Sequence, residues 1–319
     1  MHRKLSRIAA IIMASIHILL FSACSQAEIT GKYTLTVLQT NDLHGNFSNM
    51  PQYATLVKKV RSEEDNVLLL DAGDVFKRGA YESYYGEIEM EIENAMGYDA
   101  FVLGNNEFKV PGSVNSTQES GTLAESDAQI ANIIKWADFP ILCGNVTLTK
   151  TGEYISGTKP YVILNVGSLK IGIIGVTSTA PKDSGLDMTS DKAFEVPENA
   201  VTRLVAEIGD KADIIIVLSH AGMDSNRCMT GVAAIISGHD HIKTVKPDDA
   251  TGIPIMQAGG EEDNYLGRLD LTFERKDGKW VLTDYTGKLY SAEEADPDSD
   301  IQKIIDKYEA EPIPTFKAA

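Results

Sequence analysis

An α/β fold built from two mixed β-sheets with helices packed outside them is predicted by three observations. Apolar, strand-like runs alternate with helix-like segments through the first two thirds of the chain, the pattern of parallel β-α-β units. The last third is richer in strands joined by shorter links, which adds antiparallel pairing. Five of the apolar runs end in an imidazole, carboxylate or carboxamide side chain. In open α/β folds the carboxyl ends of parallel strands face one shared crevice.

Along the chain, strands are expected at 33–40, 67–71, 100–104, 141–145, 160–165, 169–176, 213–218, 233–237, 253–258, 268–274 and 280–285. These runs are short, rich in Val, Ile, Leu and aromatic residues, and mostly bounded by Gly, Asn, Asp or Ser. Helices are expected at 53–64, 84–96, 126–137 and 198–211. Residues 109–125 are polar and Gly/Ser-rich, a long loop suited to shaping a substrate mouth. The segment 291–311 is acidic and partly helical, and is expected as a solvated terminal helix and tail.

Residues 1–23 read as a targeting segment. A basic start (MHRKLSR) precedes an apolar stretch over 8–21, about the length of a signal core and too short for an ordinary membrane span. Leu20, Phe21, Ser22 and Ala23 before Cys24 form a lipobox-like ending. The expected organisation is a lipoprotein-type signal peptide over 1–23 with a membrane anchor on Cys24, a tether over 24–32, one domain over 33–290, and a C-terminal helix and tail over 291–319. Plain secretion with cleavage nearby is the alternative. Either way the chain is exported, to the cell envelope, the periplasm or the exterior.

Basic residues number 29 and acidic residues 46. Arg3, Lys4 and Arg7 fall in the leader, so the chain from Cys24 onward carries a formal net charge of −20. That balance argues against a nucleic-acid polymer as partner, because phosphate backbones demand cationic patches. It suits a site that offsets its own negative charge with metal cations. Cys143 and Cys228 are expected as separate thiols rather than a disulfide.

Seven side chains stand at the strand ends: Asp42 and His44 after 33–40, Asp74 after 67–71, Asn105 after 100–104, His220 after 213–218, and His239 and His241 after 233–237. Such nitrogen and oxygen donors ligate divalent metals. They are too many for one ion and suit two, with Asp74 able to bridge. Two ions about 3.5–4 Å apart acidify a bridging water and clamp a phosphoryl group, so no nucleophilic side chain is required. Each fragment alone has a plainer reading: a turn for Asp-x-His, a cap for a strand-end Asn, a structural histidine for His220. The ordered set argues for a metal centre.

The motifs NDLHG (41–45), DAGD (71–74), GYDAFVLGNNEF (97–108), LSHAG (218–222) and SGHDH (237–241) resemble those of the calcineurin-like metallophosphoesterases. They are most similar to the catalytic domain of exported bacterial 5′-nucleotidases and 2′,3′-cyclic-nucleotide phosphodiesterases. The resemblance runs from about residue 33 to about 290. It implies a four-layer α/β/β/α sandwich. It also implies one ion on Asp42, His44, Asp74 and His241, and a second on Asp74, Asn105, His220 and His239. The metals would be Zn, Mn or Fe.

Two departures matter. The family's GNHEFD appears as Gly104-Asn105-Asn106-Glu107-Phe108-Lys109. Asn106 replaces the histidine that contacts phosphate and assists the leaving group, and Lys109 replaces the aspartate that orients it. The chain also stops near the end of the catalytic domain, without the family's C-terminal base-stacking domain, so base recognition is expected to be missing, improvised by loops, or supplied by a separate nucleotide-recognition chain. The resulting expectation is an exported, lipid-anchored phosphohydrolase that uses two divalent ions. It would act on phosphate esters, nucleotides foremost, by attack of a hydroxide bridging the ions, with weakened leaving-group protonation. The alternative is a catalytically impaired metal- or nucleotide-binding lipoprotein, or half of a two-chain nucleotidase.

Other residues have milder readings. Arg78 could touch phosphate but reads equally as a solvated loop cation. Asp240 is expected to face solvent or support the ligands. Asn145 is expected in a strand-end turn, with a place behind the ligands or at the substrate mouth as the alternative, and Glu261, Glu262 and Asp263 in a solvated loop, with the edge of the site as the alternative. Tyr81, Tyr84 and Tyr85 suit helix packing or a cleft wall.

Overall fold

The computed structural model describes residues 31–311, except for 77–80, 82–83, 85, 110–121, 180–188 and 262. The leader, Cys24, Arg78, Tyr85, Glu262 and most of the expected 109–125 loop lie outside the described residues. No helix among the described residues is long and apolar enough to cross a membrane.

Two sheets form the centre. The first has the order β15-β14-β1-β2-β3-β4. Its parallel part is β1 (Lys32–Thr40), β2 (Val67–Asp71), β3 (Ala100–Val102) and β4 (Ile141–Leu142). Its antiparallel edge is β14 (Leu266–Lys276) and β15 (Lys279–Tyr290). The second has the order β11-β12-β10-β9-β7-β6, with β7 (Leu169–Thr177), β9 (Ile214–His220), β10 (Ile235–Ser237) and β12 (Pro254–Gly260) parallel. β6 (Tyr161–Val166) and β11 (Lys243–Pro247) flank them antiparallel, and β13 (Asp263–Asn264) pairs with β12. The small pair β5 (Val146–Leu148) and β8 (Lys192–Phe194), together with β11, was not expected from the sequence. Runs of three to five residues such as KAF and KTVKP carry too little apolar periodicity to mark a strand.

The alternation of side chains along each strand splits the core into three clusters. Leu68 and Leu70 of β2 point between the sheets, with Leu35, Val37, Ile171, Ile173, Ile216 and Leu218. Leu69 points the other way, into the cluster under α1 (Met50–Glu63), α2 (Glu87–Met96) and α3 (Leu123–Trp136). Val217 of β9 faces outward against Val201, Leu204 and Ile208 of α4 (Pro197–Ile208). The result is helix, sheet, sheet, helix, the four layers expected. The strands are nearly continuous in apolar residues because both of their faces are covered.

The terminal helix corrects one expectation. A short α5 (Met223–Asn226) precedes α6 (Ser299–Ala310), which is capped by Asp298, whose side chain accepts from the Asp300 and Ile301 amides. α6 is not simply solvated. It buries Ile301, Ile305 and Tyr308, and Tyr308 meets Tyr84 edge-to-face at 4.9 Å. Its acidic surface masked an i, i+4 apolar stripe. Ile305→Ala is therefore expected to destabilise the fold by about 2–5 kcal/mol, read as a lower denaturant midpoint at unchanged slope. A loss under about 0.5 kcal/mol, the usual surface range, would restore the solvated-helix view.

Cys143 is buried and Cys228 exposed, and both are free, as expected.

Candidate metal centre

The carboxyl ends of β1, β2 and β3 in one sheet and of β9 and β10 in the other open at the same end of the sandwich. All seven expected side chains converge there. Asp42 and His44 follow β1, Asp74 follows β2, Asn105 follows β3, His220 is the last residue of β9, and His239 and His241 follow β10. One set of mutually close donor atoms comprises Asp42, His44 and His241, and a second comprises Asp42, Asp74 and His220.

In the first set His241 Nε2 lies 3.3 Å from Asp42 Oδ1 and 3.2 Å from His44 Nε2. His44 Nε2 is 4.0 Å from Asp42 Oδ1 and 3.9 Å from Asp74 Oδ2. In the second, His220 Nε2 lies 3.2 Å from both Asp74 Oδ2 and Asn105 Oδ1, and His239 Nδ1 lies 2.9 Å from Asn105 Oδ1. Asp74 reaches imidazoles of both sets.

The surroundings orient the donors. His220 Nδ1 donates to the Ala72 carbonyl at 2.7 Å, which leaves the Nε2 lone pair facing the centre. Asp42 Oδ2 accepts from Asn41 Nδ2 at 2.6 Å and the His239 amide at 2.9 Å. Its other oxygen, Oδ1, is buried and has no hydrogen-bond partner, although it faces three imidazoles. Buried carboxylate oxygens are rarely left this way unless a cation completes them. The residues present therefore fit divalent metal: an orphaned carboxylate oxygen, opposed ring nitrogens, and a second buried carboxylate within reach. Burial resists ionisation of Asp74, but His220 and His44 beside it hold its carboxyl below the usual carboxylate range. With no ion bound, burial likewise opposes charge on His220, yet Asp74 and Asp42 outweigh it and raise the imidazole to about 10, so a metal would have to displace the Nε2 proton to use that lone pair.

Backbone conformation marks the same place. Among the described residues, the non-glycine residues with positive φ are Asp42, His44, Asp74, His239, His241, Glu261 and Asp277. Five are expected ligands, and Asp277 belongs to the β14–β15 turn. Left-handed backbone in non-glycine residues persists where the surroundings over-determine it, and such residues cluster at functional sites. Gly238 is required for a different reason: a Cβ there would lie 2.7 Å from the Ala72 carbonyl oxygen and 2.9 Å from His220 Nδ1.

Asn106 sits inside the ligand shell. It is 3% exposed, its amide nitrogen donates to Asp74 Oδ1 and its Nδ2 to Asp74 Oδ2, both at 2.7 Å, and Nδ2 is 3.4 Å from His44 Nδ1. Lys109 closes the short turn, its amide donating to the Asn106 carbonyl at 3.0 Å. Asp240 is exposed and accepts from the Met223 amide, as expected for a supporting residue. Asn145 ties β7 to the 195 region, with Nδ2 donating to the Thr177 and Glu195 carbonyls. Tyr81 and Tyr84 pack against Phe47 and Tyr308.

Two residues, Glu107 and Asn41, were missed. Glu107 is fully buried and accepts from the amides of Asp74, Phe76 and Gly104, so it clamps the β2 loop to the β3 loop. Asn41 bridges Asp42 to the Gly259 carbonyl. Glu261, for which a solvated loop was the first expectation and the site's edge the alternative, stands at that edge, with Oε1 4.0 Å from His44 Nε2. The available signal was polar residues adjoining ligands at buried strand ends.

A sandwich of this topology, with carboxylate, carboxamide and imidazole donors gathered at its strand ends, presents a donor set suited to divalent metal. Residues 35–243 match the calcineurin-like phosphoesterase family, and the chain belongs to that family. The chain is 31% identical over 275 residues to the trifunctional nucleotide phosphoesterase YfkN of Bacillus subtilis, covering 77% of this chain and 18% of that protein. It is 31% identical over 302 residues to UshA of Escherichia coli, covering 79% and 51%. The chain thus spans about half or less of these relatives. Among solved structures it is similar to a 5′-nucleotidase precursor from Thermus thermophilus, with TM-score 0.72 and 25% identity, covering 86% of this chain and 58% of that one. The fold also matches the YfkN phosphoesterase structure from Bacillus subtilis, with TM-score 0.69 and 24% identity, covering 88% and 97%.

Proposed function

We propose that this protein is an exported, lipid-anchored phosphohydrolase that acts on nucleotides and related phosphate esters through two divalent ions. Asp42, His44, Asp74 and His241 would hold one ion, and Asp74, Asn105, His220 and His239 the other. The observation that carries the reading is the convergence of seven donors from five strand ends around an unpartnered, buried carboxylate oxygen. Nucleotide substrates are supported by the names of the relatives, a nucleotide phosphoesterase and a 5′-nucleotidase. The lipid anchor is supported by Cys24 after an apolar leader.

When bound, divalent ions polarise a phosphoryl oxygen and acidify a water. The chain's own residues orient that chemistry. Ala72 fixes the His220 tautomer, Asn41 and the His239 amide fix Asp42, and Asn106 and Glu107 fix the loop that carries Asp74. Asn106 can donate a hydrogen bond but cannot deliver a proton near neutral pH, so expulsion of a poor leaving group is where the site is weakest. That weakness favours a second reading, a metal- or nucleotide-binding protein of low turnover.

A phosphate-release screen over nucleoside monophosphates, cyclic nucleotides and aryl phosphates with Mn²⁺, Zn²⁺ or Fe²⁺ tests the proposal. Metal-dependent release supports it; no release with any metal, from protein that binds metal, selects the second reading. Metal should also stabilise the fold. At a free concentration 100 times Kd a ligand contributes about 2.7 kcal/mol, which for a domain of this size raises Tm by at least several degrees. A Tm indifferent to Mn²⁺ and to chelation would count against a metal centre.

A further inference from the structure

We propose that Glu261 is an additional carboxylate ligand to the ion assigned to Asp42, His44 and His241, an inference that rests on the metal-centre reading above. Glu261 follows β12 and shares its left-handed backbone (φ 49°) with five of the expected ligands; Asp277, in a hairpin turn remote from the centre, is the remaining non-glycine residue of this kind among the described residues. Its turn is held against the ligands. The Glu261 amide donates to the Asp42 carbonyl at 2.7 Å, and its own carbonyl accepts from Asn46 Nδ2 at 3.3 Å and from Asn264 Nδ2. Gly260 permits the approach: a Cβ there would lie 2.8 Å from the His241 ring and 3.0 Å from the Asp42 Cβ. The backbone of the β12–β13 turn therefore rests directly on Asp42 and His241 and aims the next side chain at the same centre. Its Oε1 is 4.0 Å from His44 Nε2, and its carboxylate acts electrostatically on His241 as well.

The chemistry follows from that placement. The side chain is 37% exposed and stands at the open edge of the centre, beside the place an ion between His44 and His241 would occupy. A third carboxylate on this ion, beside Asp42 and Asp74, adds a hard oxygen donor to a set with two imidazoles, which shifts preference toward Mn²⁺.

The test is Mn²⁺ titration of the metal-stripped full-length mature chain, reading free Mn²⁺ by electron paramagnetic resonance. The wild type should bind two ions per chain. Glu261→Gln keeps the shape and the turn, and should weaken one ion by at least the about 10–100-fold seen on loss of an outer-shell partner, while the other is unchanged. Glu261→Asp, one methylene shorter, should weaken the same ion. Asp263→Asn removes an equal charge two residues away, from a side chain paired with Lys243 at 2.9 Å, and should change neither. Unaltered binding in Glu261→Gln, or equal weakening in Asp263→Asn, would overturn the assignment while leaving the metal centre intact. A wild type that binds no Mn²⁺ would remove both. Melting curves of the variants confirm that each is folded.

Discussion

Asp74→Ala is expected to lower kcat/KM for phosphate release by about 10³-fold or more, since the Lewis-acid contribution is several kcal/mol and each 1.36 kcal/mol is tenfold. Asp74 is the carboxylate that faces both donor sets, 3.2 Å from His220 and 3.9 Å from His44. Its loss also strands the Asn106 amide and side chain, which donate to it. The effect should appear in kcat as well as KM, and metal content should fall in step. Asp240→Asn, at an exposed residue that contacts the Met223 amide rather than the donor sets, is the control and should stay within a few-fold of wild type. Retained turnover in Asp74→Ala would mean that the converging donors are not the reactive centre.

The second large effect concerns the leaving group. The wild type should hydrolyse p-nitrophenyl phosphate far better than AMP, by up to the about 10²–10⁴-fold that a positioned acid supplies. Aryl oxide departs without a proton, whereas the alkoxide of a nucleoside needs one. Asn106 is the residue concerned, because it stands where the resemblance places a histidine and its Nδ2 is committed to Asp74 Oδ2. Asn106→His should narrow the AMP deficit while leaving the aryl phosphate rate within a few-fold. Equal turnover of both substrates by the wild type, with chemistry rate-limiting, would contradict the argument. An unchanged ratio in Asn106→His would place the defect elsewhere.

Much of the fold and most of the site could be read from the chain. Strands buried on both faces advertise themselves as short apolar runs such as VLLLD and IIIVL, and helices such as α4 as stripes at intervals of three and four. The seven donors were legible because each directly follows such a run, and topology requires parallel strands to end on one side. Glu107 and Glu261 were not legible in that way. Glu107 looks like any acid in a turn until the amides of Asp74, Phe76 and Gly104 are seen to converge on it. Glu261 lies in an acidic run that reads as solvated, and only the contact of its turn with Asp42 brings it to His44. α6 was read as solvated for the same reason: its charges are visible along the sequence, but the helices that cover Ile301 and Ile305 are not.

By itself, then, the sequence determined which residue types stand at which strand ends, and with them the fold class and the kind of chemistry, because period and strand order are local properties. Tertiary structure alone decided which oxygen of Asp42 is left bare, where Asn106 points and which turn leans on the centre. Those are distances between atoms up to about two hundred residues apart, set by how two twisted sheets pack, and no local pattern encodes them.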